Sequence, residues 1–183
     1  DLNNLITGEQ LGGTWTRTGT GGTFDAIAGT FIPTPGATSS TFTYTITGTA
    51  PCVDDFSEVI VTINAQPDAG TNGSTLVCDN DTTLIDLNTI ITGQQAGGTW
   101  TRTSGGVTGV FNAAAGTFIP TGATTSTFEY TLLGTAPCVN STSIATVNIN
   151  AQPYAGLDGA PQVVCDSSTT LIDLNNLITG EQL

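Results

Sequence analysis

The sequence contains no histidine, no lysine and no methionine, and its only basic side chains among 183 residues are Arg17 and Arg102. Without histidine or lysine the common general bases and nucleophile activators are missing, so an enzyme is not expected. A carboxylate pair is the remaining route to hydrolysis, but the acids fall mostly at turns and change identity from one repeat to the next. The net charge of −13 removes the basic footprint that nucleic-acid binding needs and disfavours anionic membrane surfaces. Scattered acids instead keep copies apart and soluble. No apolar run is long enough to span a bilayer, so no membrane insertion is expected in this segment. There is no CxxC, and the lack of histidine excludes the usual mixed zinc site.

What the sequence does have is repetition. DLNNLITGEQLGGTWTRTGTGGTFDAIAGTFIPT opens at Asp1, and a close variant, DLNTIITGQQAGGTWTRTSGGVTGVFNAAAGTFIPT, opens at Asp86. A third start at Asp173, DLNNLITGEQL, is identical to residues 1–11, giving periods of 85 and 87 residues. STFTYTITGTAPCV from Ser40 returns as STFEYTLLGTAPCV from Ser126. Self-similarity of this density identifies a tandem-repeat architecture.

Within each repeat the apolar period is two. Phe42, Tyr44 and Ile46 share one face of 41–47 with threonines on the other, and Phe128, Tyr130 and Leu132 repeat the pattern. Val59, Val61 and Ile63 are matched by Ala145, Val147 and Ile149. Such alternation of aromatic and β-branched residues predicts strands, with Gly-rich and Pro-containing breaks between them. In the complete repeat, strands are expected near 74–78, 83–87, 98–103, 109–120, 127–135 and 143–150, with one helical turn over 88–93. Seven or so short strands in about 86 residues predict an all-β fold of tandem immunoglobulin-like β-sandwiches. Ala65-Gln66-Pro67 and Ala151-Gln152-Pro153 mark linkers short enough for a stiff, beaded rod. The expected domains are 1–64, lacking its first strands, a complete repeat 68–150, and the opening strands of a third, 154–183. Two explanations of that frame are open: a window on a longer chain, or head-to-tail strand donation between copies.

The succession VCD, LIDLN, ITG, GGTW, TFxYTxxGTAPC and NAQP resembles tandem repeats of giant Bacteroidota cell-surface proteins. These are adhesins of the gliding-motility type, built from immunoglobulin-like or PKD-like domains. The resemblance spans essentially the whole chain and implies export, a cell-surface or filament location, and adhesion or scaffolding. It says little about a ligand, and the chain shows no secretion or attachment domain.

Among candidate sites, Trp15 with Arg17 and Trp100 with Arg102 recur two residues apart, on one strand face. The expected role is structural: a core tryptophan with arginine reaching over it by its aliphatic stem, supported by Tyr44 and Tyr130. The alternative is an exposed aromatic–guanidinium pair for a surface glycan. Threonine ladders (Thr14, Thr16, Thr18; Thr41, Thr43, Thr45) suit a solvated strand face better than ice binding. Asp79-Asn80-Asp81, Asp54-Asp55, Asp68 and Asp158 offer oxygen ligands for calcium at domain junctions, but turn chemistry accounts for them as well. Asp54-Asp55 becomes Asn140-Ser141 in the next repeat, against a required metal site. No cofactor is expected otherwise.

Cys52, Cys78, Cys138 and Cys165 occupy matched repeat positions and suggest disulfides in an oxidising, extracellular compartment. Four cysteines allow three pairings. Closure within the repeat, Cys78 with Cys138, is set slightly ahead of a staple between successive repeats. The partners expected are neighbouring repeats or neighbouring copies in a fibre. Sequons at Asn72, Asn80 and Asn140, and Asp81-Thr82-Thr83 as an O-glycosylation acceptor, are weak signals.

Overall fold

The computed structural model describes residues 1–180, and nearly all of their regular structure is strand. The first repeat contributes β1 (Thr14–Thr18), β2 (Thr23–Asp25), β3 (Thr30–Ile32), β4 (Ser40–Ile46) and β5 (Asp55–Val61). The second contributes β6 (Gly73–Cys78), β7 (Ile85–Asp86), β8 (Thr99–Arg102), β9 (Val110–Asn112), β10 (Thr117–Ile119), β11 (Ser126–Leu132) and β12 (Ser141–Asn150). Short 3-10 turns at Leu2–Asn4, Leu87–Thr89 and Leu174–Asn176 open the three DLN segments. Each is capped by the aspartate before it: Asp1, Asp86 and Asp173 accept from the backbone N–H two residues on, which satisfies an otherwise orphan donor.

These strands form several small sheets. In the first repeat β1, β4 and β5 make one sheet in that order, and β2 pairs with β3 in another. In the second repeat β7, β10 and β9 form one sheet, and β6, β12, β11 and β8 form the other. β4 pairs antiparallel with β1 and β5, β2 with β3, and β10 with β7 and β9, whereas β6 runs parallel to β12, with Gly73 opposite Ala145 and Cys78 opposite Asn150. Expected strand positions and observed ones agree closely with two exceptions: the segment 83–87 is a strand only at Ile85–Asp86 before it coils into the turn, and β5 ends at Val61, short of Ile63.

The core follows the alternation. On β4, Ser40, Phe42 and Tyr44 point inward; on β11, Ser126, Phe128, Tyr130 and Leu132 do. Phe42 meets Phe24 of β2 and Phe31 of β3 with ring centroids 5.3 and 5.0 Å apart, and Phe128 meets Phe111 and Phe118 at 4.9 and 4.8 Å. Tilted rings at this spacing gain beyond simple area burial. By Cα packing the chain forms two compact units. One comprises Asp1–Ala69, Gln95–Gly98 and Thr131–Thr142; the other comprises Gly70–Gln94, Thr99–Tyr130 and the chain from Ser143 on.

Candidate functional site

The residues that recur most exactly form a polar seam beneath each repeat. Trp15 is 4% exposed and Trp100 is 6% exposed. Each indole N–H donates 3.1 Å to an asparagine, Asn3 Oδ1 for Trp15 and Asn88 Oδ1 for Trp100. A buried indole needs such an acceptor, and the DLN turn supplies it. Gly116 has φ +64° and lies where a Cβ would collide with the Trp100 indole nitrogen and the Asn88 amide, so no side chain fits there. Each tryptophan packs on a tyrosine, Tyr44 or Tyr130, at 5.2 Å. The Tyr44 hydroxyl donates to Gln10 O at 2.7 Å and accepts from Gly13 N–H at 2.9 Å, tying the loop before β1 to β4.

The arginines are equally consumed. Arg17 donates to Ser40 Oγ from Nε (3.0 Å) and Nη2 (2.9 Å), and to Thr20 O. Arg102 donates to Ser104 O, Thr108 O, Gly105 O and Ser126 Oγ, the last three at 2.7 Å. Arg17 lies 4.5 Å over the Phe31 ring and Arg102 5.1 Å over Phe118, a cation–π geometry. Burial pulls the Arg102 guanidinium below its ordinary value, yet a guanidinium keeps its proton in proteins. Ser40 and Ser126, both buried, pass the bond on to Thr38 O and Thr124 O. Among the described residues no buried side-chain polar atom is without a partner. Neither tryptophan–arginine pair presents a face for stacking.

Sequence reasoning missed Asn3, Asn88, Ser40 and Ser126. Their signal was visible: each asparagine precedes its tryptophan by 12 residues, and the serines follow their arginines by 23 and 24. The threonines Thr14, Thr16 and Thr18 of β1 are exposed, whereas Thr41, Thr43 and Thr45 of β4 are half-buried.

The acidic candidates are turn residues. Asp54 Oδ1 accepts from Gly48 N–H at 2.8 Å, and Asn140 Oδ1 makes the same bond to Gly134 N–H at 3.0 Å. Charge is therefore dispensable at that position. Asp55 accepts from the N–H of Phe56, and Asp79 from that of Gln152. Asp81 accepts from Thr83 N–H at 2.8 Å. That backbone bond, with help from the Thr83 side chain, holds its carboxyl below the usual carboxylate range. Among the described residues no three of these acids and cysteines converge as a metal set.

Cys78 ends β6 opposite Asn150, the last residue of β12, and no disulfide joins Cys78 to Cys138. All four cysteines are thiols in the structure, Cys52, Cys78 and Cys165 exposed and Cys138 half-buried. Cys138 Sγ donates to Asn64 O at 3.2 Å. Around it Asn64 donates to Ala136 O, Gln66 to Val139 O, and Ala69 N–H to Ser141 Oγ. The chain segment 64–69 is thus bonded along its length to the turn carrying Cys138, all within the first compact unit.

No protein-family model matches the chain, and a search of curated proteins finds no match.

Proposed function

We propose that this chain is a non-enzymatic structural segment, a stalk or filament piece of a large extracellular repeat adhesin. On this reading each period of about 86 residues is an immunoglobulin-like β-sandwich, and the resemblance to Bacteroidota surface repeats reflects common architecture. One observation carries it: the side chains that recur in every repeat are spent inside it. The tryptophan, arginine, tyrosine and serine of the seam bond to one another and to the backbone. A ligand-binding repeat would instead repeat its exposed aromatics. Exposed Phe56 in the first repeat corresponds to Thr142 in the second, so no aromatic patch recurs. The glycan alternative loses its platform with the burial of Trp15 and Trp100. The bonding of segment 64–69 to the following turn suits a load-bearing chain better than a free tether.

Pulling the chain by its ends in a force spectrometer is expected to give discrete unfolding steps. One repeat releases roughly 290 Å of contour at about 3.4 Å per residue. A glycan panel with tryptophan fluorescence readout is expected to show no saturable change. Gradual extension without steps, or saturable glycan binding that alters tryptophan emission, overturns the stalk reading.

A further inference from the structure

The repeats carry two kinds of cysteine, one in Val-Cys-Asp and one in Thr-Ala-Pro-Cys, and both kinds stand beside the same linker position. In the second compact unit Cys78 ends β6 opposite Asn150, the asparagine that opens the linker Asn150-Ala151-Gln152-Pro153. The residue after it fixes that level. Asp79 N–H donates to Asn150 O at 2.9 Å, and Asp79 Oδ1 accepts from Gln152 N–H at 2.9 Å. In the first compact unit the matching linker is Asn64-Ala65-Gln66-Pro67. The neighbour of its asparagine is the other kind of cysteine: Cys138, in the repeat after the linker, donates from Sγ to Asn64 O at 3.2 Å. The side chains of Asn64 and Gln66 hold that turn on either side, donating to Ala136 O and Val139 O.

We propose that a disulfide crosses the junction between successive repeats, joining the Val-Cys-Asp cysteine before a linker to the Thr-Ala-Pro-Cys cysteine after it. Asn64 and Asn150 are one repeat position, so the two environments are halves of a single one. Put together, the asparagine carbonyl receives the N–H beside one cysteine and the thiol of the other. A carbonyl oxygen has two lone pairs and accepts both. With each donor at hydrogen-bond distance from one oxygen, the thiol lies no more than about 6 Å from the backbone nitrogen next to the first cysteine. A separation of that order is what a disulfide spans, about 4.4–6.8 Å between Cα atoms. The turn is held through its backbone carbonyls, and both linkers carry the amides that hold it, Asn64 and Gln66 in one and Asn150 and Gln152 in the other. The loop closed from Cys78 contains β7 to β12, so tension on an oxidised chain passes the junction without unravelling those strands.

The bond balances with a small disulfide such as oxidised glutathione as oxidant. Each cysteine loses one hydrogen, the S–S bond forms, and two electrons and two protons convert the oxidant to two thiols. The bond rests on the stalk reading only for an oxidising compartment; an experiment that supplies the oxidant lets the two fail separately.

In the chain as it stands, Cys138 is half-buried at Asn64 O. Gln66→Ala, which loosens the turn from the linker, is expected to speed alkylation of Cys138 by iodoacetamide about tenfold, a loss of about 1.4 kcal/mol of protection. An unchanged rate overturns the seating of the thiol on the linker. For the bond itself, residues 12–69 are appended after Leu183, in frame because 173–183 is identical to 1–11. A Thr-Ala-Pro-Cys turn then follows the 150–153 linker. Cys52 is changed to serine at its original position only, which leaves Cys78, Cys138, Cys165 and the appended cysteine. After oxidation with glutathione, peptide mapping is expected to find Cys78 joined to the appended cysteine, with Cys138 and Cys165 still thiols. Cys78 joined to Cys138, Cys165 joined to the appended cysteine, or four remaining thiols overturns the junction disulfide and leaves the stalk reading standing. Loss of stepwise unfolding under force in the reduced chain overturns the stalk reading and leaves the disulfide.

Discussion

β5 and β12 carry the same alternation at the same repeat positions, yet they are buried to different degrees. Ala145 and Val147 of β12 are completely buried, whereas Val59 and Val61 of β5 are only half-buried. The DLN leucines behave alike: Leu2 is 2% exposed and Leu87 0%, but Leu174 is 71% exposed. The side chain is the same at Val61 and Val147 and in all three leucines. What differs is the neighbour, β6 beside β12 in one case and the strands of a whole repeat over Leu2 and Leu87 in the other. Binary pattern selects the strand and its inward face, and neighbouring strands decide how much of that face leaves water.

The comparison breaks first at the shared core. Phe42 and Phe128 are both fully buried and both contact two phenylalanines. Phe128→Ala is expected to cost about 3–5 kcal/mol, read as a lowered denaturant midpoint. Phe42→Ala is expected to cost as much in its own unit. A large inequality between them would mean that the open edge at β5 loosens its whole repeat, not only its outer strand.

A sharper test lies on the strands that differ. Val147→Ala removes two buried methyl groups, and at about 0.8 kcal/mol each plus a cavity term it is expected to cost about 2 kcal/mol. Val61→Ala, at the equivalent position, is expected to cost about half of that. Equal losses in chemical denaturation would remove the covering strand as the cause of the burial difference.

The seam gives the next contrast. Arg102 makes four hydrogen bonds where Arg17 makes three, and a lysine cannot reproduce the planar fork. Arg102→Lys is expected to cost about 1–2 kcal/mol, and Arg17→Lys less. Thermal unfolding of the paired variants reads the order directly.

These experiments bear on how much was legible in the sequence. The repeat, the strand positions and the inward faces of β4, β5, β11 and β12 followed from period-two alternation. The acids at turns followed from the change of Asp54 to Asn140. What stayed hidden was the direction of β6. Nothing local in GSTLVC distinguishes parallel from antiparallel pairing, because both bury the same alternate residues. The end of the repeat at which Cys78 stands depends on that direction, which is why the sequence alone left closure within the repeat and a staple between repeats both open. The seam was half legible. Trp15 and Arg17 were marked by composition, but Asn3 and Ser40 are common turn and strand residues whose partners appear only once the DLN turn lies over β1 and Ser40 pairs next to it.

The smallest contrast compares the turn after β6 with its third copy. Asp81 accepts from Thr83 N–H at 2.8 Å, and at the same place in the next segment Ser168 Oγ accepts from Thr170 N–H at 3.3 Å. One turn is made by a charge and the other by a hydroxyl. The Asp81 carboxyl is held below its ordinary value of 3.8, first by the Thr83 backbone bond. A depressed folded-state value means that the ionised form is the one folding favours. Its stabilisation is therefore complete above the unfolded value and is lost as pH falls through the folded one. Asp81 is half-buried in a surface turn, so the effect is small, and salt screens little of it, since its partners are backbone and hydroxyl dipoles. Asp81→Ser is expected to leave the turn formed at neutral pH and to flatten the acid limb of a stability–pH profile below 3.8. An unchanged acid limb would assign that limb to other carboxylates and leave the aspartate and serine turns energetically equivalent.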